Sequence, residues 1–400
     1  MESDISGLKA AMSLRDYVKQ FLKDFIKIER ETQNVSFSRC IFHQENTASL
    51  AFYDQRFYCF GCGKSGDVID LVMYLKKLDF KEACLEIASN VGYEISFEPP
   101  NPVWEKFYAE RLQLARRYFL NLQSNADAMN YLLNVRHISP ETIYNFMLGF
   151  TDAEEYKYRQ DMGNISSKIV FPIFDSRRTP TIAGMAYRAM TDEKPKYVND
   201  HNQTGQNGQN SALNGAFIKG NMLYGFYQAR THIADEGYAI ITEGYFDVLS
   251  LHDSGIGNAV GVMSAKLTEA QADMLAKRTS KAILMLDADD AGKAGTMNAI
   301  KMLMSRGIVS SVCQLQDVHD ADELCNKYSH DKNTILQYIK GHLITSERYL
   351  LDKLTSKYKD LVIVERNRVV SEAMGICESI SDKAQREVFM NMVYKEIDMI

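Results

Sequence analysis

The spacing of apolar positions divides the chain into stretches of different period. Residues 8–30 alternate charged and apolar positions in a helical manner. From Phe37 to Phe60 the chain turns aromatic- and cysteine-rich, and the short runs SLAFYD and RFYCF predict β-strands. Helical spacing returns over 67–92, with Val68, Leu71, Val72, Leu75, Leu78, Ala83, Leu85 and Ile87 apolar. SFEPPNPVW (96–104) holds three of the chain's seven prolines and predicts a linker. A helix is predicted from Trp104 to about Leu133, with Arg111, Arg116 and Arg117 exposed between its apolar positions. A second linker-like segment covers 151–167, followed by the strand-like pieces KIVFPIFD, TIAGMAYRAM and PKYVND. Residues 199–215 are almost wholly Asn, Gln, Gly and small polar residues, which predicts a flexible surface loop. Between 238 and 330 short apolar runs alternate with helix-length amphipathic segments, the texture of βαβ units in a parallel sheet. The stretch 341–400 reads as all-helical.

Composition narrows this picture. With 400 residues, 46% hydrophobic and 24% charged, the chain has the balance of a folded protein of two or three domains. Charged positions interrupt the stretch 1–30, and no apolar run approaches the length of a membrane span, so a cytoplasmic protein without a membrane partner is expected. Seven cysteines make a poor disulfide framework and fit reduced thiols, some of them on a metal. The net charge of -6 leaves nucleic acid only a local basic patch to grip.

Two groups of residues carry chemistry. Cys40-x-x-His43 and Cys59-x-x-Cys62 are two ligand pairs at the spacing that lets each tight turn offer both ligands to one tetrahedral ion. Four protein ligands close the coordination shell, so this zinc would be structural. Around it stand Phe37, Phe42, Phe52, Tyr53, Phe57, Tyr58 and Phe60 with Arg39, Arg56 and Lys64, a mixture that stacks bases and pairs phosphates. In the βαβ region, Glu243, Asp287, Asp320 and Asp322 follow strand-like runs, while Asp247 and Asp289 lie close enough to point into the same crevice. Such a concentration of carboxylates calls for Mg2+ or Mn2+, and a pair of such ions suits phosphoryl chemistry.

Together these features resemble the bacterial DnaG-type DNA primases. CIFHQENTASLAF through FYCFGCGKSGDVIDLVMYL resembles that family's zinc-binding domain, and EGYFDV, LDADDAGKAG and DVHDADEL resemble its three acidic Toprim motifs. YLLNVRHISPETIYNFMLGF, KIVFPIFD, KPKYVND and FIKGNMLYGFYQA are similar to its basic subdomain. The resemblance implies a multi-domain α+β and α/β architecture. Its parts would be a zinc-ribbon-type domain over 1–95, a linker over 96–104 and a basic α+β subdomain of the RNA polymerase domain over 105–235. A Toprim parallel sheet over 236–332 and a C-terminal helical bundle over 333–400 would follow.

By the same resemblance the chain is a nucleotidyltransferase that makes short RNA primers from ribonucleoside triphosphates on single-stranded DNA. Glu243, Asp287 and Asp289 would be catalytic. Glu243, Asp247, Asp287, Asp289, Asp320 and Asp322 would hold Mg2+ or Mn2+. Arg188, Lys196 and Lys219 would contact nucleic acid or nucleotide, and one zinc would sit on Cys40, His43, Cys59 and Cys62. A replicative helicase is the implied protein partner, through a surface the sequence does not identify. Only about one helical bundle follows the Toprim region, so the family's C-terminal helicase-binding domain is expected to be missing. The chain departs from the family pattern at Asp290, where a basic residue is usual. A Toprim-type metal-dependent nuclease and a non-catalytic single-stranded DNA-binding protein are the alternative readings, and the glycine string GCGKSG lacks the order of an ATPase phosphate loop.

Overall fold

The computed structural model describes residues 2–76, 78, 80–95, 102–153, 165–175, 181–191, 193–200, 217–264, 266–356, 363–378, 380 and 383–398. The chain divides into two compact units, Met1–Pro100 and Asn101–Ile400.

In the first unit, α1 (Glu2–Ala10) and α2 (Leu14–Phe21) precede β1 (Ile28–Glu31), β2 (Ser36–Ser38), β3 (Leu50–Phe52), β4 (Phe57–Cys59) and β5 (Ser65–Gly66), then α3 (Val68–Lys76) and α4 (Phe80–Val91). The helix predicted over 8–30 is thus two helices and a strand. Ser13 interrupts it, its hydroxyl accepting the Asp16 amide at 3.1 Å to cap α2. The five strands form an antiparallel sheet in sequence order. Strand alternation sends Phe57 and Cys59 inward and Tyr58 outward, and Leu14, Val18, Leu50, Phe52, Leu71 and Ile87 complete the core. Each of the buried leucine, valine, isoleucine and phenylalanine side chains contributes about 1.5–3 kcal/mol over exposure.

The second unit opens with α5 (Pro102–Ser124), α6 (Ala126–Asn130), a π turn (Tyr131–Val135) and α7 (Pro140–Asn145). The C-terminal end of the expected linker, from Pro102 on, therefore begins a helix, proline being suited to a helix's first turn; residues 96–101 lie outside the described residues. β6 (Gly149–Phe150), β7 (Lys168–Phe174), β8 (Ile182–Ala189) and β9 (Tyr197–Asn199) make a four-stranded antiparallel sheet in that order. Its central strands are buried except at Phe174, the last residue of β7: Val170, Ile182, Met185 and Tyr187 pack on Ala115 and Tyr118 of α5, and Ile169, Phe171 and Ala186 face the opposite core. Most of the linker-like 151–167 and of the polar stretch 199–215 falls outside the described residues. The ends that are described are anchored: the Thr151 amide donates to the Lys168 carbonyl at 3.0 Å, and Asp200 is buried.

After α8 (Phe226–Glu236) come β10 (Ala239–Thr242), α9 (Tyr245–Asp253), β11 (Ala259–Gly261), α10 (Glu269–Ala276), β12 (Lys281–Leu284), α11 (Asp290–Ser305), β13 (Val309–Cys313), α12 (Ala321–Lys327) and α13 (Lys332–Gly341). β14 (Leu343–Thr345), α14 (Ser346–Ser356), α15 (Ile363–Glu378) and α16 (Lys383–Asp398) complete the chain. The sheet order is β11-β10-β12-β13-β14, parallel except for β14. β14 corrects the all-helical reading of 341–400: so short a run between two helices cannot show a strand period, yet it pairs with β13. Among the described residues, no helix is long and apolar enough to cross a membrane.

Arg111 corrects another expectation. It is buried on the face of α5 that packs against β8, and its guanidinium pairs with Asp200, which is bonded to Met185 of β8. Asp200 also accepts the Met185 amide at 3.1 Å and the Tyr187 hydroxyl at 3.4 Å.

Candidate metal centre and carboxylate crevice

In the first unit, the turn after β2 presents Cys40 and His43, and the turn leaving β4 presents Cys59 and Cys62. Their donor atoms all lie within 4.8 Å of one another. Cys40 Sγ and Cys62 Sγ are 3.8 Å apart, as are Cys59 Sγ and His43 Nδ1. Bonds of about 2.3 Å to a tetrahedral zinc put two sulfurs about 3.8 Å apart, so the set fits one structural zinc.

The amides of Phe42 and Cys62 point at Cys40 Sγ and Cys59 Sγ, at 3.3 and 3.4 Å, and favour their thiolates. Burial and the neighbouring thiols push Cys40 up to about 12. Cys59, despite its own burial, is brought down to about 7 by hydrogen bonds led by that of Ser49. A divalent cation relieves this crowding.

Glu45, which the ligand spacing did not single out, supports the loop. It accepts the Cys40 amide at 2.6 Å and the Ser49 amide at 3.2 Å, and its other oxygen lies 3.4 Å from His43 Nε2, the ring nitrogen turned away from the metal position. The aromatic set around the Cys/His cluster divides. Phe52 and Phe57 belong to the core, whereas Tyr58 and Phe60 are exposed and meet edge to face at 5.1 Å. Arg30 covers Phe37 and Lys64 approaches Phe42.

In the second unit, the parallel strands aim their carboxyl ends at one crevice. Glu243 follows β10 directly, and Asp287 lies just beyond the end of β12. Asp289 and Asp320 are the caps of α11 and α12, accepting the Gly292 and Glu323 amides at 2.7 Å through Oδ1. α11 lies tightly against the Asp287 loop. A Cβ at Gly292 would stand 2.1 Å from the Asp287 carbonyl oxygen, so no side chain fits there.

The six expected carboxylates fall into two groups. Asp247, on the first turn of α9, spends Oδ2 on the Gly244 amide at 2.7 Å and Oδ1 on the Asp322 amide at 3.1 Å. Asp322 receives the Ser250 hydroxyl at 2.6 Å and the Asn326 amide at 3.1 Å on Oδ1, and Arg136 Nη1 at 2.7 Å on Oδ2. Both are buried and tie α9 to α12. Glu243 and Asp287 meet no hydrogen-bond donor among the described residues, and Asp289 and Asp320 each keep Oδ2 clear of such a donor.

Electrostatics show how close the acids are. Burial, then the charges of Asp287 and Asp289, raise Glu243 to about 7. Burial, then Asp320 and Asp289, raise Asp287 to about 6, and burial with Asp320 and Asp287 raises Asp247 to about 8. Asp320 is raised too, chiefly by burial. Hard oxygen donors that resist ionising together are a donor set suited to a divalent cation such as Mg2+ or Mn2+. Asp290 points outward and pairs with Lys293 at 3.1 Å, which balances its charge locally.

The expected cations are placed unequally. Arg188 is buried, donating to the Tyr131 hydroxyl and lying over Tyr197 and Phe246 at 5.4 and 4.8 Å. Lys196 is exposed just before β9. Lys219 is half-buried in a short turn, burial lowering its pKa, and no acid pairs with it among the described residues. Arg136, absent from the sequence-derived set, joins the end of the π turn to Asp322.

A zinc ribbon in one unit, with an acidic crevice at the carboxyl ends of a Toprim-type sheet in the other, defines a nucleic-acid enzyme of the zinc-finger and Toprim class. Residues 2–101 match the CHC2 zinc finger family and residues 240–325 the Toprim-like family. The chain is 30% identical to the DNA primase of Aquifex aeolicus over 390 residues, covering 90% of this chain and 74% of that one. It is 28% identical to the DNA primase of Clostridium acetobutylicum, over 96% and 67% of the two chains. The crystal structure of the Aquifex aeolicus primase zinc-binding and RNA polymerase domains superposes with a TM-score of 0.59 at 27% identity, covering 99% and 97% of the two chains. The chain belongs to the bacterial DnaG-type DNA primase family, and its function is that of a DNA primase in DNA replication.

Proposed function

We propose that the chain joins ribonucleoside triphosphates into short RNA primers on a single-stranded DNA template, using Mg2+ or Mn2+ held by Glu243, Asp287, Asp289 and Asp320. The observation that carries this reading is the pair Glu243 and Asp287, which meet no hydrogen-bond donor among the described residues, beside two capping carboxylates that each keep one oxygen clear of such a donor, on a framework fixed by Asp247 and Asp322. Divalent ions bound there would supply Lewis acidity for attack of a ribose 3′ hydroxyl on the α-phosphate of the next nucleotide and for departure of pyrophosphate.

The chain's own residues organise that step. Asp247 and Asp322 orient the loops that carry Glu243 and Asp320. Lys219, without an acidic partner among the described residues, offers its ammonium to a triphosphate. Lys196 offers an exposed charge to template phosphates, and Arg188 steadies the aromatic floor of Tyr131, Tyr197 and Phe246. The exposed Tyr58 and Phe60 of the zinc unit offer stacking faces for template bases. The cytoplasm, and a replicative helicase as partner, follow from a role in replication.

The rival nuclease reading uses the same acids with water as nucleophile. Circular single-stranded DNA incubated with the chain, Mn2+ and labelled ribonucleotides separates the two. Short labelled RNA with circles left intact supports the proposal. Linearised circles without labelled RNA would replace it with the nuclease.

A further inference from the structure

Among the described residues, one cation forms an ion pair with any of the six crevice acids: Arg136, through Asp322. It lies just beyond the π turn, its amide donating to the Tyr131 carbonyl at 2.9 Å. This wide turn brings Tyr131 and Arg136 to the same side, where Arg136 Nε donates to the Tyr131 hydroxyl at 3.0 Å. The guanidinium also lies 4.2 Å from the centre of the Phe246 ring, next to Asp247 in α9. Held in this way, 22% of its side chain is exposed, and Asp322 beneath it is 9% exposed.

The contacts run on from there. Asp322, fixed by Arg136, Ser250 and Asn326, sends its amide to Asp247, which holds the Gly244 amide beside Glu243. Asp320 stands just before Asp322, on the same helix start.

We infer that Arg136 is a positioning residue for the metal-holding carboxylates: through Asp322 it sets Asp247 and the start of α12, and so the directions in which Glu243 and Asp320 face. The inference rests on the proposed metal role of Glu243, Asp287, Asp289 and Asp320. The rival assignment for such an arginine is direct contact with a template phosphate, and the two predict different losses.

The test uses the full chain with Arg136→Gln, the milder Arg136→Lys, Asp322→Asn and the double variant Arg136→Gln/Asp322→Asn, each checked by circular dichroism. Mn2+ binding is read by electron paramagnetic resonance without nucleotide or template. Template binding is read by fluorescence anisotropy of a labelled single strand in chelator. Arg136→Gln is expected to weaken Mn2+ binding about 10–100-fold, the usual effect of losing a support behind metal ligands, and to leave the template Kd within twofold. Arg136→Lys should recover part of the loss, and the double variant should be no weaker than the more affected single variant.

Unchanged Mn2+ affinity in both Arg136 variants, a loss confined to template binding, or additive effects in the double variant would each overturn the assignment. Primer synthesis by the intact chain is scored in the same preparation. An intact chain that binds Mn2+ but makes no RNA would undo the proposed function. An active intact chain whose Arg136 variants bind Mn2+ normally would undo only the positioning role.

Discussion

Replacing Arg111 by Met removes the cation from an ion pair whose carboxylate, Asp200, is 1% exposed. Methionine fills most of the volume of the arginine stem, so the change isolates the charge. Asp200 keeps, among its other partners, the Met185 amide at 3.1 Å and the Tyr187 hydroxyl at 3.4 Å. Breaking one side of a buried pair costs about 3–5 kcal/mol, because the remaining charge stays out of water. At about 2 °C per kcal/mol for a unit of this size, the melting temperature of the second unit should fall by roughly 6–10 °C. Scanning calorimetry of the full chain reads this, and Arg111→Met/Asp200→Asn, which also removes the carboxylate charge, should regain more than half of the loss. A fall of less than about 2 °C in Arg111→Met, or no recovery in the double variant, would refute the reasoning.

Two further outcomes follow from the same geometry. Glu45→Ala, which frees the Cys40 and Ser49 amides and exposes His43 Nε2, should lower zinc affinity about 10–100-fold in competition with a chromophoric chelator; unchanged affinity would remove Glu45 from the centre. In the metal-free chain, Glu243, Asp287 and Asp247 are raised to about 7, 6 and 8. Raised carboxylates bind more protons folded than unfolded, so their contribution to stability is lost as pH climbs from their ordinary values near 4 to about 8. Added Mn2+ should therefore raise the melting temperature more at pH 8 than at pH 6, and a pH-independent increment would contradict the assignment.

The cluster of Cys40, His43, Cys59 and Cys62 was legible because a metal imposes short, fixed spacings on the chain. The crevice was legible because parallel strands must deliver their ends to one edge. The division of labour among the acids was not. Asp247 and Asp322 look like Asp287 in the sequence, and the arginine that occupies Asp322 lies 186 residues away. No local pattern encodes that contact. Arg111 is different: it lies on the stripe of Ala115, Tyr118 and Leu122, at helical spacing, and that period pointed inward. Reading arginine as a surface residue hid a signal that was present. Phe52 and Phe57 were similarly ambiguous, since aromatic residues serve cores and base stacking alike, and the strand alternation of β4 separated Phe57 from Tyr58 only once the sheet was known.

The central claim is that this crevice makes RNA. The measurement that tests it most directly is incorporation of labelled ribonucleotides on unprimed single-stranded DNA with Mg2+ or Mn2+, comparing the intact chain with Glu243→Gln and Cys62→Ser. The account predicts short RNA from the intact chain, at least 100-fold less from Glu243→Gln, and weakened or mis-started synthesis from Cys62→Ser. RNA made equally well by Glu243→Gln, or none from the intact chain with either metal, would contradict it.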